Sequence, residues 1–221
     1  LITSTSPNIW SNGTNTIPAS DGTFSGAFSR IRLVNTLLAK AETYSSPTEI
    51  AQYVAEAKFF RAYVYFDLLQ LYGDAPIITN LPDENDPILT APRNPRGEVA
   101  DFIIEDLQAA ALALPLQSAI PAGDAGRVSK GTAQAFLSRV ALFEGTWQKF
   151  RNNTARATGL LDIAAKAAKD VITSNEYALF KPAALGDSAQ KYMFILEDAK
   201  SNPAGIKKAD NKEYIFANRH D

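Results

Sequence analysis

The segment PTEIAQYVAEAKFFRAYVYFDLLQLYG, residues 47–73, carries the strongest structural signal in the chain. It opens with Pro47, a residue favoured in the first turn of a helix, and closes with Gly73, a residue favoured just past a helix end. Apolar and aromatic residues fill most positions between Tyr53 and Tyr72. The pattern predicts one long helix, apolar on all faces, at the centre of an all-α domain, and we expect it to be the least exposed element.

Charged side chains interrupt this apolar segment at four positions, which are Glu56, Lys58, Arg61 and Asp67. A membrane-spanning helix needs about 20 mostly apolar residues without interior charges. The segment is therefore predicted to be buried in protein rather than in a bilayer. Its aromatic stripe Phe59, Tyr63 and Phe66 has helical spacing and is interpreted as core packing.

Four further segments show apolar residues at steps of three and four, the spacing that one face of a helix requires. They cover residues 28–41, 97–114, 129–150 and 160–173. Residues 74–95 contain five prolines, which forbid a long helix and predict a surface connection. The fold class predicted is all-α, built from tetratricopeptide-like helix pairs with long irregular loops.

The chain is interpreted as one helical domain, residues 1–221, in three parts. Residues 1–26 are rich in Ser, Thr, Asn, Gly and Pro and are expected to be irregular. Helical repeats cover about 27–175, and a loop and end segment follow at 176–221, where 212–217 are expected to be extended.

A possible internal repeat aligns Arg61 with Arg139, which lie in similar apolar contexts 78 residues apart. Two helix pairs of about 34 residues each, with the proline-rich loop, would give this spacing. Ala55, Phe59 and Ala62 also match the second-helix pattern of a tetratricopeptide repeat, although no first-helix signature is present. Because a buried guanidinium must be satisfied, both arginines are expected to pair internally or to cap carbonyl groups.

Composition excludes several classes of function. The formal charge is −2 without long runs of one sign, so no nucleic acid partner is expected. The chain has no cysteine, and its one histidine is His220, so neither a catalytic triad nor a metal site is expected. The segment 126–132 has a lysine on the wrong side of its second glycine for a phosphate-binding loop. We therefore predict no catalytic residues, no metal ligands and no cofactor.

The stretch AEAKFFRAYVYFDLLQLYGDAPI, residues 55–77, resembles the signature of the SusD/RagB family of glycan-binding outer-membrane lipoproteins. Two more segments follow in the family's order, PRGEVADFIIEDL at 95–107 and GRVSKGTA at 126–133. The resemblance implies a tetratricopeptide-like scaffold that binds an oligosaccharide and performs no catalysis. It also implies a SusC-type TonB-dependent transporter as partner and a place on the extracellular face of the outer membrane. The implied membrane contact is only a lipid anchor upstream of Leu1. Family members are much longer than this chain.

The candidate glycan site lies in the N-terminal segment. Sugars present apolar C–H faces ringed by hydroxyl groups, so their sites combine exposed aromatic rings with planar polar side chains on loops. Trp10 stands near Asn12, Asn15 and Asp21 in a segment too polar to bury an indole by itself. The resemblance supports this location, because loops before the first repeat helix contribute to the family's glycan site.

Two alternatives stay open. A generic helical-repeat protein would bind peptides or proteins on its concave surface. A glycan-processing enzyme is the weaker alternative, since no nucleophile–base pair or metal set emerges from the residues. For Trp10 itself, packing onto the body of the domain is as consistent with the sequence as stacking on a sugar.

Overall fold

The computed structural model describes residues 12–14 and 16–216, and the predicted all-α fold is confirmed. The described part contains no β-strand, and an isolated bridge joins Ala75 to Asn94. Its α-helices are α1 Gly22–Glu42, α2 Pro47–Tyr72, α3 Arg96–Ala113, α4 Lys130–Lys149, α5 Thr154–Thr173 and the short α6 Ala189–Met193.

Two helix starts and the conformation of one segment differ clearly from those expected. Helix α1 begins at Gly22, so residues 22–26 are helical rather than irregular, because Asp21 caps the first turn. Helix α5 begins at Thr154, ahead of the first apolar residue of the predicted segment. Residues 212–216 form turns and bends, so the expected extended segment is wrong over these residues.

Helices that follow one another along the chain pack together, from α1 against α2 through to α4 against α5. Their contacts enclose one continuous core. Its largest fully buried apolar side chains come from α1 to α4 and the loop before α4: Tyr65, Phe59, Ile31, Leu68, Leu69, Ile103, Leu107, Val99, Val128 and Val140.

Helix α2 is not buried on every side, and the prediction that it is the least exposed element is wrong. Tyr53 is 50% exposed, Phe60 43%, Tyr63 42% and Leu71 62%. Helices α1 and α3 pack on α2, and rings of α4 contact Phe59, Tyr63 and Phe66, but the side of α2 that carries Tyr53, Phe60 and Leu71 remains open in the described structure. The interpretation of the aromatic stripe is correct for Phe59 and Phe66, which are buried, and wrong for Tyr63.

The two aligned arginines occupy different environments. Arg61 is buried and forms two hydrogen bonds with the carboxylate of Asp106 in α3, as expected for a satisfied interior guanidinium. Arg139 is exposed, so the prediction of a buried guanidinium that pairs internally or caps carbonyl groups is wrong for this residue. The repeat alignment therefore does not place the two side chains in equivalent positions.

Tyr65 joins α2 to the proline-rich connection. Its hydroxyl accepts a hydrogen bond from Ile78 N at 2.8 Å and lies 3.2 Å from the carbonyl oxygen of Pro76, to which it donates. The ring packs edge-on against Phe102 with centroids 5.1 Å apart. Burial raises the pKa of Tyr65 to about 12.

This shift predicts a loss of stability in alkaline solution. The tyrosine of the unfolded chain ionises near pH 10, whereas the folded hydroxyl keeps its proton until about pH 12. The contribution is complete below pH 10 and is lost as the pH rises towards 12, by about 1.4 kcal/mol at pH 11. Urea denaturation of the wild type and Tyr65→Phe at pH 8 and pH 11 measures it.

The variant should be less stable than the wild type at pH 8 by about 1 to 3 kcal/mol, because Ile78 N loses its acceptor. The gap between the two proteins should narrow at pH 11. A gap of the same size at both pH values would show that Tyr65 does not titrate in this way.

Candidate functional site

Asp21 lies where the N-terminal segment enters helix α1. Its backbone is extended, and its Oδ1 accepts hydrogen bonds from Thr23 N at 2.8 Å and Phe24 N at 3.4 Å. These N–H groups have no partner within the helix, so a carboxylate at this position stabilises the first turn. Asp21 therefore fixes the end of the segment that carries the predicted site.

A second hydrogen bond ties Asp21 to the far end of α2. The hydroxyl of Tyr72 donates to Asp21 Oδ2 at 2.6 Å, across 51 positions of sequence. This bond is the main cause that lowers the pKa of Asp21, followed by the backbone hydrogen bond from Thr23, and it is also the main cause that raises the pKa of Tyr72. Asp21 is thus charged at neutral pH while Tyr72 keeps its proton.

Aromatic rings and a cation surround this hydrogen bond. The Phe24 ring contacts Phe28 at 4.9 Å and meets Tyr72 edge-on at 5.1 Å between centroids. Arg93, which is exposed, places its Cζ 5.2 Å from the centroid of Phe24. We call these five residues, Asp21, Phe24, Phe28, Tyr72 and Arg93, the Asp21 cluster. A carboxylate, a phenol, a guanidinium and aromatic rings at one surface are the groups that bind polyhydroxylated ligands.

The structure describes two of the four predicted site residues. Asn12 is exposed, and its Oδ1 accepts hydrogen bonds from Thr14 N at 3.1 Å and Thr14 Oγ1 at 2.6 Å, which closes a turn. Asp21 bonds instead with α1 and Tyr72. Trp10 and Asn15 lie outside the described residues. The site therefore remains a prediction, to which the structure adds new neighbours for Asp21.

Sequence reasoning missed Tyr72 and Arg93. Tyr72 lies in the apolar segment that was assigned to the core, and Arg93 lies in the proline-rich connection. The sequence Asp21-Gly22-Thr23 did contain a helix-start signal. A local pattern, however, gives no information on a partner 51 residues away.

A second candidate surface is the aromatic face, which we define as Phe60, Tyr63, Phe136 and Phe216. Tyr63 stacks on Phe136 with centroids 5.2 Å apart and an interplanar angle of 24°. Phe216 is 46% exposed and packs against the buried Phe59 beneath it. This face is strongly apolar, and each of its four rings packs against the buried Phe59.

A third candidate is the aliphatic groove between α1, α2, α3 and residues 79–81, with a volume of about 830 Å³. Its lining includes the apolar Leu38, Ile50 and Val54 and the charged Glu42, Lys58 and Arg61. No aromatic ring of the described residues lines it. It therefore lacks the stacking surface that sugar sites use, and an apolar side chain would fit it better.

Residues 12–14 and 16–216, the part of the chain that the structure describes, contain no group of three or more His, Cys, Asp or Glu residues that could hold a metal ion. None of the helices within them is long and apolar enough to cross a membrane.

Comparison with known families gives a match over most of the helical region. A SusD-like family, described as starch-binding and associating with the outer membrane, matches residues 6–142. This range includes helices α1 to α3, the Asp21 cluster and the four predicted site residues.

Individual relatives agree with the family match. A SusD-like protein of Bacteroides ovatus is 32% identical over 157 residues, which cover 68% of this chain and 27% of the relative. The crystal structure of a SusD-like carbohydrate-binding protein from Bacteroides fragilis is 26% identical, with a TM-score of 0.61, over 74% of this chain and 29% of that one. A crystal structure with xylogluco-oligosaccharide is 25% identical, with a TM-score of 0.63, over 90% of this chain and 36% of that one. The chain thus spans about a quarter to a third of the length of these relatives.

Proposed function

The chain belongs to the SusD-like family, and from this premise we propose that its protein binds an oligosaccharide and delivers it to a SusC-type TonB-dependent transporter. The proposed location is the extracellular face of the outer membrane, with a lipid anchor as the membrane contact. The observation that carries the proposal is the family match over residues 6–142. The relative whose structure contains a xylogluco-oligosaccharide supports a saccharide as the ligand class.

The proposed glycan site is the N-terminal segment together with the start of α1. Trp10 stacks on a sugar face, while Asn12, Asn15 and Asp21 bond the hydroxyl groups around it. A carboxylate offers about four acceptor positions, and Asp21 uses three of them for Thr23, Phe24 and Tyr72. The Thr23 side chain also hydrogen-bonds this carboxylate, so a ligand hydroxyl would take the fourth acceptor position in place of Thr23. A site on the end of a packed helix is also held in a fixed geometry.

Replacing Trp10 with alanine tests the proposal. Loss of one stacked indole should weaken binding by about 10- to 100-fold, comparable with other aromatic hot spots. The melting temperature should hardly change. We would titrate the intact protein by calorimetry with maltoheptaose and with a xylogluco-oligosaccharide, after a glycan array has screened other saccharides.

The chain's other tryptophan is the matched control. Trp147 is half-buried, with Arg96 Cζ 3.9 Å and Arg151 Cζ 3.3 Å from its ring centroid. Trp147→Ala should lower the melting temperature and leave glycan affinity unchanged. If Trp10→Ala lowers the melting temperature by several degrees while affinity stays intact, Trp10 is a packing residue and the site lies elsewhere.

We propose further that the protein does not cleave its ligand. The family relative from Bacteroides fragilis is described as carbohydrate-binding. Chromatography of the oligosaccharide after incubation with the protein should return it intact. Shortening that depends on the protein would contradict this part of the proposal.

The alternative of a peptide-binding scaffold has one observation in its favour, the aliphatic groove. A groove of about 830 Å³ lined by leucine, isoleucine and valine suits the apolar face of a helical peptide. If no saccharide on the array binds while a helical peptide does, this alternative replaces glycan binding.

A further inference from the structure

We propose that Tyr72 is a positioning residue for the glycan site and acts through Asp21, an inference that rests on the proposed function. Tyr72 is the last residue of α2, and Asp21 precedes the first residue of α1. The hydrogen bond between them connects the end of the N-terminal segment to the helix that contributes more residues to the core than any other.

The base of this connection is rigid. Leu68 and Leu69, in the same last turn of α2, are almost completely buried. After Tyr72 the chain turns at Gly73, whose φ of 73° favours glycine. The Tyr72 ring is also held by its edge contact with Phe24. The hydroxyl of Tyr72 is therefore a fixed donor rather than a mobile surface group.

The two oxygens of Asp21 are held from different directions. Oδ1 is bonded by the first N–H groups of α1, and Oδ2 is bonded by Tyr72 at 2.6 Å. If only one of the two oxygens were bonded, the carboxylate could still rotate about that hydrogen bond. Both together fix its plane, and so fix the direction of the acceptor position that a ligand would use. A group ordered before the ligand arrives loses less entropy on binding.

A purely structural role for this hydrogen bond would appear as a loss of stability when the bond is removed. We expect that loss to be small, because Asp21 is exposed and Tyr72 is half-buried. A positioning role places the effect in ligand affinity instead. The two roles are therefore separated by measuring affinity and melting temperature on the same variants.

Tyr72→Phe removes the hydroxyl and keeps the ring against Phe24. The ligand is maltoheptaose or the xylogluco-oligosaccharide, whichever binds the intact wild-type protein more tightly. We expect Tyr72→Phe to weaken binding of that ligand by about 3- to 10-fold. The melting temperature should stay within about 2 °C of the wild type. Tyr44→Phe is the matched control, because Tyr44 is a 46% exposed tyrosine beyond the opposite end of α1.

A second substitution tests whether Tyr72 acts through Asp21. Asp21→Ser keeps a residue that caps helices well but removes the carboxylate that reaches Tyr72. Adding Tyr72→Phe to Asp21→Ser should cause no further loss of affinity. The inference is overturned if Tyr72→Phe binds as the wild type does, if it lowers affinity equally with and without Asp21→Ser, or if it lowers the melting temperature by several degrees. If the wild type binds no saccharide on the array, the proposed function fails and this inference fails with it.

Discussion

Replacing Arg61 with leucine is expected to lower the free energy of unfolding by about 3 to 5 kcal/mol, because it leaves the buried carboxylate of Asp106 without its partner. Arg61 Nε lies 2.7 Å from Asp106 Oδ2, and Nη2 lies 2.9 Å from Oδ1. Both side chains are more than nine-tenths buried. Chemical denaturation followed by circular dichroism measures the change.

The expected effect is large because Arg61 belongs to a network across three helices. Its Nη1 donates to Asn35 Oδ1 of α1 at 3.0 Å. Asn35 is itself buried, and its Nδ2 donates to the carbonyl oxygen of Ile78 at 2.8 Å. Removing the guanidinium therefore leaves acceptors unsatisfied in both α1 and α3.

Two further variants show whether the loss of stability comes from breaking this buried network or would follow the removal of any charged side chain. Lys166→Ala removes an exposed ion pair with Asp170 on α5 and should change stability by less than about 0.5 kcal/mol. Arg61→Leu combined with Asp106→Leu should be more stable than Arg61→Leu alone, since no unpaired charge stays buried. A loss below about 1 kcal/mol for Arg61→Leu would show that water reaches Asp106 and solvates it.

Phe59→Ala should also cost about 3 to 5 kcal/mol, because it opens a cavity in the core. Phe59 is 1% exposed, and its ring lies 5.7 Å from that of Phe136 in α4. It therefore links α2 to α4 from within the core, and the same denaturation experiment measures its contribution.

The neighbouring Phe60 is a close control for this prediction. It has the same chemistry and the same helix but is 43% exposed. Phe60→Ala should cost less than about 1 kcal/mol, since much of its ring already contacts solvent. Equal losses at Phe59 and Phe60 would show that the open side of α2 is covered in solution.

Only part of the candidate site could be predicted from the sequence. The choice of Trp10, Asn12, Asn15 and Asp21 stays a prediction, and all four residues lie within the range of the family match. What sequence reasoning could not supply was Tyr72. A tyrosine inside an apolar helical segment is expected to be core, and only the crossing of α1 and α2 shows that its hydroxyl reaches Asp21.

By itself the sequence determined the existence of the five long helices, the all-α class and the family resemblance. These follow from local features: Pro47 and Gly73 limit α2 to within one residue, and apolar spacing indicates the other helices. Only the tertiary structure decided which side of α2 is covered, so that Phe59 is buried and Tyr63 exposed. It also decided that Arg61 is paired in the interior while Arg139 faces solvent. A helix that is apolar on every side contains no local signal for the side its neighbours will cover, because burial depends on how helices distant in sequence cross.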